Sequence, residues 1–400
     1  MPKILRIINR FNLGGPTYNA AYLSRYMPSN FETLLVGGAN EKTEANSQYI
    51  VKTLGLDPII IPEMKRSINP LWDIIAYRKI LKIIKDFKPD IVHTHASKAG
   101  ALGRTAAYKL NVPVIIHTFH GHVFDAYFSN FKANFYKQIE RNLAKKSSCI
   151  IALSENQKND LVYKYKICEE NKIKIIPLGF DLSKFQENMD LKRAEFRKKY
   201  SLDEDEIAIG IVGRIVPIKN HTLFIKTIHK IINNNGHKKI RAFIVGDGED
   251  KQKIQNLATS LGISWANNNI KISEKPKIIF TSWIKEVDYV NAGMDIIVST
   301  SLNEGTPVSL IEAQAANKPI VSSDVGGIQN IVIPQKTALL FKNNDENDFY
   351  EKLSQLINND TLRLNLSNNG WEHVKSKFHY SRLVDDMSTL YYELLTKNKK

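Results

Sequence analysis

Short runs of β-branched and aliphatic residues alternate along the chain with longer stretches in which apolar positions recur every three or four residues. Runs of the first kind predict strands at 3–8, 32–36, 58–61, 90–94, 113–117, 149–153 and 172–176. The amphipathic patterns between them predict helices near 17–27, 44–54, 72–86, 99–109, 128–146 and 154–165. A second series starts later, with strands at 207–212, 242–245, 278–280, 295–299, 319–321 and 338–341, each but the last followed by a helical pattern. Strands that alternate with helices in this way build parallel sheets, so the fold class is α/β.

The alternation pauses at Pro177-Leu178-Gly179-Phe180-Asp181, and a charged, apolar-poor stretch over 183–206 follows. A linker there divides the chain into two similar doubly wound domains, 1–180 and 181–375. A last amphipathic stretch, 371–395, carries Trp371, Val374, Phe378, Leu383, Met387, Leu390 and Leu394 near helical spacing and is expected to pack across one of the two domains.

Composition narrows the class. With 43% apolar and 24% charged residues the chain is globular. No run approaches the ~18 apolar residues of a membrane span, and the first residues reach Asn9 and Gly14-Gly15 too early for a signal-peptide core. A chain neither secreted nor membrane-spanning is expected. Cys149 and Cys168 are too few for a disulfide framework or a cysteine zinc site, which fits a reducing cytoplasm. The net charge of +15 is uneven: 26 basic but 14 acidic side chains precede residue 181. Such an excess fits an anionic partner or only a basic host proteome.

Chemistry concentrates in the second series. Ser301-Leu302-Asn303-Glu304-Gly305-Thr306-Pro307-Val308-Ser309-Leu310-Ile311-Glu312 begins where the strand 295–299 ends, the side on which open α/β sheets bind ligands. Thr306 as N-cap and Pro307 as first helical residue would start a helix whose amides at Gly305, Thr306, Val308 and Ser309 face an anion. Glu304 precedes this helix. Glu312 lies on its apolar face with Val308, Ile311 and Ala315, where a carboxylate needs donors such as the vicinal hydroxyls of a ribose, or a salt bridge at the edge of the face. A second loop, Gly213-Arg214-Ile215-Val216-Pro217-Ile218-Lys219-Asn220, puts two cations on a rigid turn suited to gripping a diphosphate, with Asn220 capping the next helix. Taken singly, each of these residues also fits a solvated loop.

Gly14-Gly15 and Gly246-Asp247-Gly248 each follow a strand and allow close backbone approach, and the second fits a purely structural turn equally well. His93, His95, His117, His120 and His122 cluster in one span. No carboxylate or cysteine is interleaved at ligand spacing, so a metal is not expected, and His120-Gly121-His122 is read as offering an imidazole to the active site. Phe124, Phe128, Phe131 and Phe135 beside Lys132, Lys137, Arg141, Lys145 and Lys146, and Leu71, Trp72 and Ile75 beside Lys79, Lys82 and Lys85, suit either core faces or an interface with anionic lipid.

These motifs resemble the GT-B glycosyltransferases, in particular the retaining family 4 (group 1) type, over residues 4–341. The resemblance is carried by the spacing of Glu304 and Glu312, by Arg214 with Lys219, and by Gly326-Gly327-Ile328 after the strand 319–321. It implies two Rossmann-like domains facing across a cleft, with the terminal helix 376–397 returning to the first. It also implies an enzyme that moves a hexosyl group from a nucleotide sugar, a UDP-sugar, to a glycan or polyprenyl-linked acceptor in surface polysaccharide synthesis. Glu312 would bind the ribose, Arg214 and Lys219 the diphosphate, and Gly305, Thr306 and Val308 the phosphate and sugar. Glu304 would contact the sugar's hydroxyls and His120 the transferred sugar; Gly14 and Gly15 would line the cleft, and Trp283 and Ile284 would lie beside the base. Pro16-Thr17 replaces the family's usual small residue and Glu after the double glycine, and Leu178 replaces its common Asn.

Retention by front-face attack needs no dedicated base, because the departing diphosphate oxygen takes the acceptor's proton while the cations and helix start stabilise it. No nucleophile for a double displacement is evident. The only Asp-x-Asp triplet, Asp203-Glu204-Asp205, precedes a strand in the linker region, so neither metal nor other cofactor is expected. Cytoplasmic residence with peripheral contact to the inner face of an anionic membrane, and no nucleic acid partner, completes the expectation. A sugar-nucleotide epimerase of the same fold, a glycan phosphorylase, or a non-enzymatic basic surface binder are the alternatives.

Overall fold

The computed structural model describes residues 1–11, 15–39, 48–65, 67, 69–120, 130–234, 238–268 and 275–397. The chain forms two compact units, Met1–Phe180 with Lys377–Lys400, and Asp181–Ser376.

The first unit holds β1 (Lys3–Arg10), β2 (Glu32–Gly38), β3 (Ile59–Ile60), β4 (Ile91–His95), β5 (Val114–Thr118), β6 (Cys149–Ala152) and β7 (Ile173–Ile175) in the order β3-β2-β1-β4-β5-β6-β7. Every pairing is parallel. Each central strand is buried on both faces, which is why it reads as an unbroken apolar run. On one face Ile4, Ile91, Ile116 and Ile151 pack with Leu383, Met387, Leu390 and Tyr391 of the helix Tyr380–Lys397. On the other, Leu5, Ile7, Val92 and Ile115 meet Ala76, Ile80 and Ile84, one stripe of the helix Pro70–Phe87. The terminal helix is thus part of this unit's core, and Arg6, fully buried, donates to Tyr391 Oη at 3.2 Å.

The second unit holds β8 (Ile207–Val212), β9 (Ile240–Val245), β10 (Trp265–Asn267), β11 (Ile278–Ser282), β12 (Ile296–Ser299), β13 (Ile320–Ser323) and β14 (Ala338–Phe341), ordered β10-β11-β9-β8-β12-β13-β14 and again all parallel. In each sheet the winding direction reverses once, between β1 and β4 and between β8 and β12. At such a reversal the loops leaving the two neighbouring strands diverge and open a crevice.

Several expectations need correction. The stretch read as linker contains the helix Met189–Lys199, which buries little apolar surface beyond Phe196. It is held by Arg193 on Asp295 at 2.7 Å and Arg197 on the same carboxylate at 3.2 Å, so no hydrophobic period announces it. The last strand is followed by a helix after all, Glu346–Asn358, with Phe349, Leu353, Leu356 and Ile357 buried and Asp345 capping its first amides. The stretch 371–395 is two helices, Gly370–Phe378 and Tyr380–Lys397. They break where Phe180 pairs with His379, the Phe180 amide donating to Phe378 O at 2.8 Å and the Tyr380 amide to Phe180 O at 3.0 Å. The edge strand β10 was not foreseen.

Candidate active site

The loops that leave β8 and β12 meet at the reversal point of the second sheet. From β8, the chain runs through Gly213 into a short turn, Pro217–Lys219, closed by Asn220 in the left-handed region (φ 50°). From β12, Thr300 accepts no freedom: its hydroxyl donates to Lys219 O at 2.9 Å and Asn220 O at 3.0 Å, and the Leu302 amide donates to Ile218 O at 2.8 Å. These bonds stitch the two loops together. The Lys219 ammonium forms an ion pair with Glu304 Oε1, and the Ser301 hydroxyl donates to the same oxygen at 2.6 Å. Lys219, His221, Ser299, Ser301, Glu304 and Ser309 surround one small cavity.

Two glycine turns back these loops, which for Gly246-Asp247-Gly248 is the structural role left open in the sequence. A Cβ on Gly246, whose φ is +143°, would lie 1.9 Å from Gly213 O, and one on Gly327 would lie 1.9 Å from Gly305 O. The Gly327 amide also donates to Glu304 O at 2.8 Å. Gly246-Asp247-Gly248 and Gly326-Gly327 therefore support the cation loop and the Glu304 loop through backbone contact that a side chain would prevent.

Of the residues expected at the site, Lys219 and Glu304 come together. Arg214 shares the loop with Lys219 but its side chain is exposed. The helix Val308–Ala315 starts one residue later than expected: Pro307, at φ −70° and ψ 104°, occupies the N-cap and offers no side-chain cap. With Glu304 O tied to the glycine turn and Pro307 itself extended, Thr306 falls outside the cap. The first-turn amides of Val308 and Ser309 lack an intrahelical acceptor, as at any helix start, and Gly305 is exposed in front of them. Asn220 also does not cap by its side chain; its amide donates to Asn344 Oδ1 at 2.9 Å.

Glu312, in the same helix, is partly buried. Burial raises its pKa to about 7, opposed by the positive charge of Lys184 and reinforced by the negative charge of Asp288. Asp288 is itself engaged by Lys192 at 2.9 Å. His221, the first residue of the helix His221–Ile232, was missed entirely. It is buried, both ring nitrogens lack a partner, and burial with the nearby Lys219 charge lowers its pKa to about 4, so it stays neutral beside the ion pair. Only its place after Asn220 could have pointed to it, and that is no signal.

Trp283 is 42% exposed just past β11, with Ile284 half-buried beside it. In the first unit, Gly14 and His122 lie outside the described residues, and Gly15 opens the helix Gly15–Arg25. His120 lies just beyond β5, its Nε2 3.0 Å from His95 Nδ1. Asp203 and Asp205 are taken up by Lys275 at 2.6 Å and Lys239 at 2.9 Å. Among the described residues no group of three or more His, Cys, Asp or Glu side chains is placed to hold a metal ion.

The family described as Glycosyl transferases group 1 matches residues 192–373, the part that contains Arg214, Lys219, Glu304 and Glu312, and Glycosyltransferase Family 4 matches residues 13–184. The chain belongs to the GT-B glycosyltransferases of family 4, group 1. It is similar to the UDP-Gal:alpha-D-GlcNAc-diphosphoundecaprenol alpha-1,3-galactosyltransferase of Escherichia coli, at 28% identity over 84% of this chain and 83% of that one. The capsular polysaccharide biosynthesis glycosyltransferase CapM of Staphylococcus aureus is 26% identical over 85% of this chain and 86% of the relative. In fold it resembles Anabaena Alr3699/HepE, whose crystal structure is a complex with UDP, with a TM-score of 0.80 at 15% identity, covering 98% of this chain and all (100%) of that one. This glycosyltransferase thus acts in polysaccharide or glycan synthesis, and its two parallel sheets are Rossmann-like units of the GT-B type.

Proposed function

We propose that the chain is a retaining hexosyltransferase that uses a UDP-sugar and extends a glycan carried on a polyprenyl diphosphate. The observation that carries the donor half is the meeting of Lys219 and Glu304 at the reversal point of the second sheet, beside the unpaired amides of Val308 and Ser309. Cations and amides there suit a diphosphate, and a carboxylate suits sugar hydroxyls. Lys219 and Glu304 neutralise each other; a bound diphosphate would draw the ammonium away and leave Glu304 for hydroxyl donors. Glu312 takes the ribose, Arg214 the outer phosphate oxygens, Gly305 and Thr306 the sugar phosphate, and Trp283-Ile284 the base. His120 offers its imidazole to a substrate hydroxyl, and Gly15 approaches the substrate by backbone.

The acceptor oxygen attacks the anomeric carbon on the face the diphosphate leaves. The C–O bond to the phosphate breaks, and the acceptor's proton passes to the departing phosphate oxygen. Lys219, Arg214 and the helix start stabilise the growing negative charge. The UDP and lipid-carrier parts of the reading are supported by what the names of the E. coli and Anabaena proteins state of those proteins.

Peripheral membrane contact follows from the same acceptor. The helix Pro70–Phe87 exposes Leu71 (74%), Trp72, Ile74 (50%) and Ile75 in its first turns, and Arg78, Lys79, Lys82 and Lys85 further along. An apolar tip followed by a cationic shaft suits insertion into the headgroups of an anionic leaflet. Of the aromatic stripe expected to do the same, Phe124 and Phe128, with the side chain of Phe131, lie outside the described residues, and Phe135 is exposed. No described helix is long and apolar enough to cross a membrane.

The test of the donor reading is a thermal-shift panel of UDP, GDP, ADP and their hexose conjugates. A ligand at about 100 Kd should stabilise by about 2.7 kcal/mol, and UDP compounds should lead. An unshifted melting temperature with every UDP compound overturns the reading.

A further inference from the structure

Three buried histidines, His93, His95 and His117, stand with the partly buried His120 towards the carboxyl ends of β4 and β5, and the three buried ones have no part in the proposed reaction. His93 is a framework residue: its Nδ1 meets Tyr391 Oη at 2.7 Å and its Nε2 meets Thr118 Oγ1 at 2.8 Å, so both nitrogens are used. His117 belongs to the opposite face of the sheet, where Nδ1 meets Thr94 Oγ1 at 2.9 Å and the ring lies against Gly100. His95 differs from both. It is the last residue of β4, at the reversal point of the first sheet, and its Nδ1 lies 3.0 Å from His120 Nε2. The remaining nitrogens of this pair, His95 Nε2 and His120 Nδ1, are buried without a partner.

Burial lowers the pKa of both rings, that of His120 to about 3, and the surrounding His93, His117 and Arg6 charges lower that of His95 further. Both are neutral at physiological pH. Two neutral imidazoles carry one N–H each. One of those protons lies in the shared hydrogen bond, so the other must be on the outer nitrogen of the accepting ring. The direction follows from charge. Both outer nitrogens are enclosed, but the Arg6 guanidinium acts on His95, and beside a cation a bare ring nitrogen is favoured over an N–H, so the His95 proton lies in the shared bond.

We propose that His95 is a positioning residue: its Nδ1–H donates to His120 Nε2 and locks His120 in the Nδ1–H tautomer, so that His120 Nδ1–H is the donor presented to a sugar oxygen. This rests on the assignment of His120 to a substrate hydroxyl. A neutral donor of fixed direction recognises an uncharged oxygen without the desolvation that a cation would require.

Long-range proton–nitrogen NMR of protein labelled with 15N-histidine tests the tautomer directly, with His95→Asn, His95→Ala and His120→Asn used for assignment. His120 should show a protonated Nδ1 and a bare Nε2 in the wild type. In His95→Ala it should pass to the Nε2–H form or a mixture. His95→Asn, whose amide N–H falls near the lost Nδ1–H, should restore the wild-type pattern. Turnover of the UDP-hexose selected by the thermal-shift panel should fall about tenfold in His95→Ala and stay within about threefold in His95→Asn at matched melting temperature. A wild-type His120 with Nε2–H, or one whose tautomer is unchanged by His95→Ala, overturns the positioning role. A coupled tautomer together with unimpaired His120→Ala turnover would instead overturn the assignment of His120 to substrate and leave the coupling intact.

Discussion

Glu312 carries a pH dependence that can be read before any substrate is known. Its folded-state pKa is raised to about 7, well above the ordinary carboxylate range. Below that range the group is protonated both folded and unfolded and contributes no difference. As pH rises from there through about 7, the unfolded chain releases its proton first, so stability falls over this window and is flat above it. In its proposed role at the ribose, binding runs the other way, because only the ionised carboxylate would accept from both hydroxyls. UDP affinity measured by calorimetry should therefore strengthen as pH rises from 6 to 8, and Glu312→Gln should flatten that slope. For the ion pair, Glu304→Ala and Lys219→Ala should each lower turnover by at least about tenfold, roughly 1.4 kcal/mol of transition-state stabilisation. The double variant should lose less than the product of the single losses, since each single change leaves a charge unpaired. Full turnover in both single variants would remove the assigned roles. At this scale the sequence made Glu304 and Lys219 legible through residue type and loop position. It did not disclose that the two neutralise each other, because the partner lies 85 positions away.

At the scale of elements, both site loops depend on glycine turns from other strands. Gly327→Ala would push a Cβ to 1.9 Å from Gly305 O, a backbone atom that cannot yield without moving the Glu304 loop. Such a change belongs with strained or overpacked sites, which typically cost about 1–3 kcal/mol. Urea unfolding should show a lowered midpoint, and nucleotide affinity should fall with it; an unchanged midpoint would mean that the turn can relax away from the loop. Strands were the most legible elements, because β-branched runs buried on both faces carry their signal in consecutive residues. β8 and β14 have the predicted bounds. The helix Met189–Lys199 was illegible for the opposite reason: Arg193, Arg197 and Asp295 hold it, and ion pairs leave no period in the sequence.

At the scale of the molecule, the positive charge of the first half and the exposed tip at Leu71–Ile75 make one prediction together. In co-sedimentation, vesicles of phosphatidylcholine with about 30% phosphatidylglycerol should retain the protein, neutral vesicles should not, and added salt should release it. Leu71→Glu with Ile74→Glu should abolish retention while leaving the melting temperature unchanged, since Leu71 is 74% and Ile74 50% exposed. Equal partitioning to neutral and anionic vesicles would dismiss the membrane role.

Local pattern alone determined that this chain would be α/β, with two series of parallel strands and candidate ligand loops at 213–220 and 301–312, because burial, helix periodicity and loop chemistry are written in neighbouring residues. The tertiary structure decided the rest: that the winding reverses between β8 and β12 and so brings Lys219 to Glu304, that two glycine turns carry those loops, that the terminal helix completes the first core, and that His95 meets His120. Each of these is a contact between residues far apart in the chain. Such contacts are fixed by strand order and close packing, which no local pattern encodes.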